Sequence, residues 1–339
     1  MDEALPTRQT KPVFDAYAGD FFLLSLKNLV LTVLSIGIYR FWAKTEVRRY
    51  LLGHTQLWDD RFEYTGTGKE LFVSFLRALP ILVLLFGIPI LAVVFISNQA
   101  ARSIALFLWY LLFFFLGYVG FYAAFRYRLS RINLRGIRFS LAGSSVDYGK
   151  LGVRVLVLSA LTLGLYWPFG FAALVRAMVN QMGFGTERFD FKGNGREILV
   201  SFLLCLLLFL PTLGLSFVWF GARQTMFAVN NTSLGHISFK LAIRKGEWYG
   251  LVLSNFLMIL VTLGIAAPLA VLRTIRFFAE RLTIVGEPDF VALGQAPQSP
   301  TRMGEGLFEA LEAGWCSQFL QTSPRIITMV LTQAARRCA

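Results

Sequence analysis

The sequence predicts an α-helical polytopic membrane protein, built from tandem helical-hairpin repeats of about fifty residues with a minor cytoplasmic β layer of short strands. Three observations predict it. A motif recurs at a fixed period, two apolar runs are long enough to cross a bilayer, and cations collect after every unit. Thr162-Leu163-Gly164, Thr212-Leu213-Gly214 and Thr262-Leu263-Gly264 lie fifty residues apart, as do Phe139, Phe189 and Phe239. Leu71–Phe95 and Ile104–Phe125 each meet the roughly 20 residues that a hydrocarbon core demands. Over the whole chain 56% of residues are hydrophobic and only 16% charged, where a soluble domain carries about a quarter charged residues.

In chain order, residues 1–13 form a polar, cytosolic N-terminal segment without the apolar core of a signal peptide. The membrane domain spans 14–286 in five units: 14–66, 68–143, 149–193, 195–242 and 246–286. In the first, Ser35-Ile36-Gly37 replaces T-L-G, and an amphipathic run carrying Arg40, Lys44, Arg48 and Arg49 fits an interfacial helix. The second is longer by a helix's worth of apolar residues. Its Pro80 and Pro89 predict kinks, and Ser97-Asn98-Gln99 is a polar turn. Units three to five repeat the pattern of apolar run, T-L-G break, second run ending in cations, and alternating segment. The alternating segments FEYTG, IRFSLAG, RFDFKG and HISFKLA have the period of strands. Unpaired, their edges would be costly, so one shared sheet is expected. From residue 287 to 339 the composition shifts to that of a flexible tail.

The net charge of +13 does not point to nucleic acid, because the cations sit in the linkers. Arg48, Arg49 and Arg61, then Arg126 to Arg138, then Arg176, Arg188, Lys192 and Arg196, then Lys240, Arg244 and Lys245, then Arg273, Arg276 and Arg281 follow successive units. The breaks at Gly37, Gly164, Gly214 and Gly264 are nearly uncharged. Under the positive-inside rule this predicts in-and-out hairpins with cytoplasmic linkers. The implied partner is the lipid bilayer, with anionic headgroups at the basic linkers.

No catalytic or cofactor-binding pattern stands out. His54 and His236 lack partners at ligand spacing, and Cys205, Cys316 and Cys338 show neither disulfide nor metal spacing. The expectation is no enzyme, no cofactor and no metal. The candidate intramembrane polar positions are Lys27, Asn28, Arg154 and Asn255, because polar groups inside spanning runs are expensive and mark function by default. Snorkelling to headgroups is the favoured account of Lys27 and Arg154, and an interhelical hydrogen bond that of Asn255. Two function classes stay open. One is transport of a small solute or ion along these four residues, the leading expectation. The other is a non-catalytic scaffold that binds lipid or a partner through basic linkers.

Certain motifs resemble the uncharacterised bacterial inner-membrane family typified by YjgN. They are Leu34-Ser35-Ile36-Gly37-Ile38-Tyr39, Trp42-Ala43-Lys44, Arg49-Tyr50-Leu51 and Phe62-Glu63-Tyr64-Thr65-Gly66, with an echo in Thr162-Leu163-Gly164-Leu165-Tyr166-Trp167-Pro168. The resemblance covers about residues 14 to 286 and implies a multi-pass inner-membrane protein of no established activity.

Overall fold

A computed structural model of the protein describes residues 9–57 and 60–286. The expected tail, 287–339, lies outside the described residues. The chain opens with β1 (Gln9–Thr10) and β2 (Val13–Phe14), then α1 (Ala18–Leu34) and α2 (Arg40–Gly53), then β3 (Thr55–Leu57), β4 (Asp60–Arg61) and β5 (Glu63–Tyr64). Two long helices follow, α3 (Gly68–Phe95) and α4 (Gln99–Ser130), with hairpin β6 (Ile132–Leu134) and β7 (Ile137–Leu141). Next come α5 (Ser145–Leu161), α6 (Trp167–Val179), β8 (Met182–Phe184) and β9 (Glu187–Phe191). Then follow α7 (Gly195–Phe209), α8 (Leu215–Asn230), β10 (Thr232–Leu234) and β11 (Ile237–Leu241). The described chain closes with α9 (Lys245–Val261), α10 (Ala267–Arg281) and β12 (Leu282–Val285). Helix dominates, yet the strands form more than a minor layer.

Local chemistry sets the helix ends. Thr67, Asn98 and Ser144 cap α3, α4 and α5 with their side-chain oxygens, and Asn194 caps α7 in a reciprocal box with Glu197. At the far end of each short hairpin the same turn occurs four times. Ile36, Leu163, Leu213 and Leu263 have φ of 52°, 50°, 48° and 49°, and the glycine after each is also left-handed. In each turn the glycine N–H reaches back to the carbonyl five residues earlier, as Gly164 does to Ser159 at 2.6 Å. The Thr or Ser hydroxyl accepts from the N–H four residues on: Tyr166 to Thr162 at 3.0 Å, Ser216 to Thr212 at 3.1 Å, Ala266 to Thr262 at 3.1 Å, Tyr39 to Ser35 at 2.8 Å. The three T-L-G hydroxyls also donate to the preceding turn of helix. The breaks are therefore tight turns closed by their own hydrogen bonds.

The prolines of α3 do not interrupt it. Pro89 has no N–H to give the Leu85 carbonyl. That carbonyl accepts instead from Trp109 Nε1 of α4 at 2.7 Å. Trp109 also packs on the small core of Ala78, Leu82 and Leu85.

Each helix packs against the next in sequence, and α10 packs back against α1, so the ten described helices form a closed ring. The strands close as well. Pairing is antiparallel from β1 through β12, β11, β10, β9, β8, β7 and β6 to β5, while β2, β3 and β4 form a second sheet. Only Lys11-Pro12 separates β1 from β2, and only Phe62 separates β4 from β5. The segment 9–14 thus pairs with β12 through its first half and with β3 through its second. Pro12 lies where the partner changes, at a residue with no N–H to donate. Residues 9–14 are the stave that links β12 to β3.

The buried strand residues Phe139, Phe184, Phe189, Phe191, Phe239 and Ile284 belong to one apolar core with Phe121, Met178, Phe227 and Phe278 from the second helices. Arg188, Asp190 and Lys240 point the other way, to solvent. The strand pleat alone dictates this split.

Candidate functional site

The turn glycine is a ruler for the four short hairpins. Nine residues before it stand Asn28, Val155, Cys205 and Asn255, which are 4%, 1%, 0% and 8% exposed. This position faces the packed interior in all four hairpins. Ten residues before it stand Lys27 and Arg154, both exposed. One residue is a 100° step around a helix, so neighbours in sequence part company in space.

Lys27 Nζ lies 3.0 Å from Glu46 Oε2 of α2, and Tyr39 donates its hydroxyl to Glu46 Oε1 at 2.8 Å. Asn28 is buried one position along, close enough to Glu46 to favour its charged form. Asn255 donates to Thr274 Oγ1 of α10 at 3.2 Å and to the Ala270 carbonyl at 3.4 Å. One step away Arg273 donates to Ser254 Oγ at 3.1 Å. In α7 and α8, Cys205 and Ser216 meet in the same layer, with Ser216 Oγ donating to the Cys205 carbonyl at 3.0 Å.

Arg154 belongs to an outer groove of about 570 Å³ between α4 and α5. Leu111, Leu112, Phe115, Val157 and Leu158 wall it, and Lys150 and Arg154 edge it. A second groove, about 280 Å³, lies between α8 and the start of α9, with Arg223, Arg244, Trp219 and Trp248 in its lining.

The four sequence candidates thus separate. Lys27 and Arg154 face outward on different hairpins, Asn28 faces inward between α1 and its neighbours, and Asn255 bonds within α9–α10. Sequence reasoning did not single out Glu46 or Arg223, and it counted Arg273 among the linker cations although it lies within α10. Each stands nine residues after a turn glycine, close to the mirror of the ten-residue offset of Lys27 and Arg154 before theirs. That shared offset was the signal. Among the described residues no three potential metal ligands gather. His54 lies in a turn, its Nδ1 2.8 Å from the Tyr50 carbonyl.

The chain is 24% identical over 259 residues to the inner membrane protein YjgN of Escherichia coli (strain K12) and 23% identical over 255 residues to that of Escherichia coli O157:H7. Each match takes in 75% of this chain, and the chain spans 58% of the length of these relatives. A stretch of 64 residues, 19% of the chain, is 39% identical to the YjgN of Salmonella typhimurium. No solved structure matches. Two described helices, Gly68–Phe95 and Gln99–Ser130, are long and apolar enough to cross a membrane, and in the most apolar eighteen residues of each only 22% and 6% are buried. Residues 9–212 and 196–310 match the family described as bacterial protein of unknown function (DUF898), and the chain belongs to that family.

Proposed function

We propose that the chain is a multi-pass inner-membrane protein whose five hairpins are copies of one unit, and that its role is non-catalytic. It acts as a membrane-embedded scaffold that binds lipid or a partner through its basic sheet end, which faces the cytoplasm. One observation carries this reading. The inner faces of the strands and second helices are filled with phenylalanine and aliphatic side chains, while Lys27 and Arg154 face outward. A conducting path needs a continuous polar or hydrated lining, and an apolar core of this kind favours a solid support. The cations at the ends of the second helices and on the strands support the cytoplasmic placement of the sheet. The test is reconstitution into sealed vesicles. The scaffold reading expects ion and small-solute leak no greater than in empty vesicles, together with higher thermal stability in phosphatidylglycerol than in phosphatidylcholine. A specific, saturable flux would overturn it in favour of transport. One observation favours that second reading: Asn28 and Asn255 are both buried, on hairpins made adjacent by the packing of α1 on α10.

A further inference from the structure

Five exposed cations recur at matching offsets along the helices. Lys27, Arg77 and Arg154 each stand nine residues after the first residue of α1, α3 and α5. Arg223 and Arg273 stand nine residues after the turn glycines of α8 and α10, and Lys27 and Arg154 ten before theirs. All five are exposed. In the four short hairpins the cation and the tip are therefore separated by about 14–15 Å of helix, half of a hydrocarbon core of about 30 Å. If these tips reached the far surface, Lys27, Arg154, Arg223 and Arg273 would all lie at the midplane, the worst depth for a cation.

The long hairpin is built differently. Between Arg77 and the polar turn Ser97-Asn98-Gln99 lie only uncharged residues, Ala78–Ile96, which make about 29 Å of helix. That matches a full core. Its tip is polar and carries Arg102, which donates to the Ile96 carbonyl at 3.1 Å. The four short turns end on apolar residues, and those at Gly164, Gly214 and Gly264 have no charge within five residues, whereas Arg40 stands three residues past Gly37 in the first. Ile36, Leu163, Leu213 and Leu263 are 94%, 92%, 94% and 91% exposed. Bare apolar tips suit lipid, and lipid tolerates a turn only if its backbone groups are satisfied within the protein. The back-reaching glycine N–H and the Thr or Ser hydroxyl provide that here.

We propose that only α3–α4 crosses the bilayer, and that the other four hairpins are re-entrant. Their tips end in the acyl chains near the midplane, and the five cations lie at the phosphates of the near leaflet. This rests on the membrane reading above and narrows it from five crossing hairpins to one. Side-chain direction supports it for α1, α3 and α5. Helical side chains lean toward the helix N-terminus, so Lys27, Arg77 and Arg154 lean toward the sheet end and its headgroups.

The test uses the full chain with Cys316→Ser and Cys338→Ser, leaving the buried Cys205 in place. Single cysteines are placed by Leu163→Cys, Leu213→Cys, Leu263→Cys, Asn98→Cys and Thr65→Cys. A membrane-impermeant maleimide is applied to spheroplasts and to inverted vesicles. The expected result is labelling of Asn98→Cys and Thr65→Cys from opposite sides. The tip variants are expected to label from either side at less than about a tenth of the level reached in detergent, since hydrocarbon surrounds them. Spin labels at the tips should be relaxed by oxygen and not by a water-soluble nickel complex. If the left-handed position rejects cysteine, Leu161→Cys and Val261→Cys, in ordinary helix beside the tips, give the same readout. Tip labelling from the side of Asn98→Cys would overturn the re-entrant proposal and leave the membrane reading intact. So would tip labelling from the side of Thr65→Cys. Labelling of Asn98→Cys and Thr65→Cys from one side only would overturn both.

Discussion

The hydrogen bond from Trp109 Nε1 to the Leu85 carbonyl is the sharpest handle on the long hairpin. It fills a vacancy that Pro89 creates, so the two residues should be energetically coupled. Trp109→Phe keeps an aromatic ring against Phe113, 5.5 Å away between centroids, but removes the donor. In the native sequence that takes away the donor of the Leu85 carbonyl, and in the membrane placement proposed above water cannot replace it. In a Pro89→Ala background the backbone regains an N–H at this position, which can bond to the same carbonyl, and the loss is milder. Interhelical hydrogen bonds in membranes contribute about 0.6 kcal/mol on average and up to about 1.7. An orphaned carbonyl belongs at the upper end, so the expected interaction energy between the two substitutions is about 1–1.5 kcal/mol. The assay is reversible SDS unfolding in bicelles of the parent, both single variants and the double. The packing lost with the indole is common to both legs of the cycle and cancels. An interaction energy within about 0.3 kcal/mol of zero is additivity. It would refute the claim that the indole compensates for the proline.

Further outcomes follow from the same packing. A Cβ at Gly195 would lie 2.6 Å from the Phe169 Cα and 2.8 Å from its N, backbone atoms that cannot rotate away. Gly195→Ala should therefore destabilise by about 1–3 kcal/mol and lower the thermal midpoint. Gly221→Ala in α8, which meets nothing within 4 Å, should leave the midpoint unchanged or raise it. Gly164→Ala also meets nothing, but its φ of 91° should still cost about 1–2 kcal/mol through backbone strain alone, read in the same melt. Thr212→Val removes the acceptor for the Ser216 N–H and should cost about 1 kcal/mol, whereas Thr212→Ser should retain most of the stability. Deleting residues 1–14 removes the stave between β12 and β3. It should increase protease cleavage near residues 55 and 285 more than near the β8–β9 hairpin.

The legible features were those whose causes are local. T-L-G reads as a helix break because a left-handed pair needs glycine and the threonine hydroxyl serves its own turn. The short strands read from their alternation, whereas the turn Arg135-Gly136, with φ of 49° and 77°, shows only in the structure. The size of the sheet was underestimated. Each unit adds a short strand directly after its second helix (β6, β8 and β10) that pairs with the alternating segment, and joining these hairpins edge to edge makes a layer larger than any one segment announces.

The sequence by itself determined the hairpins, their turns, the long second unit and the family, because apolar runs, caps and glycines act within a few residues of themselves. Tertiary structure alone decided which strand closes the ring, that Lys27 pairs with Glu46 nineteen positions away, and that adjacent Lys27 and Asn28 face opposite surroundings. Those outcomes depend on which distant backbone edge or side chain is brought alongside. A period of fifty residues says that units are alike, and only packing says which of them meet.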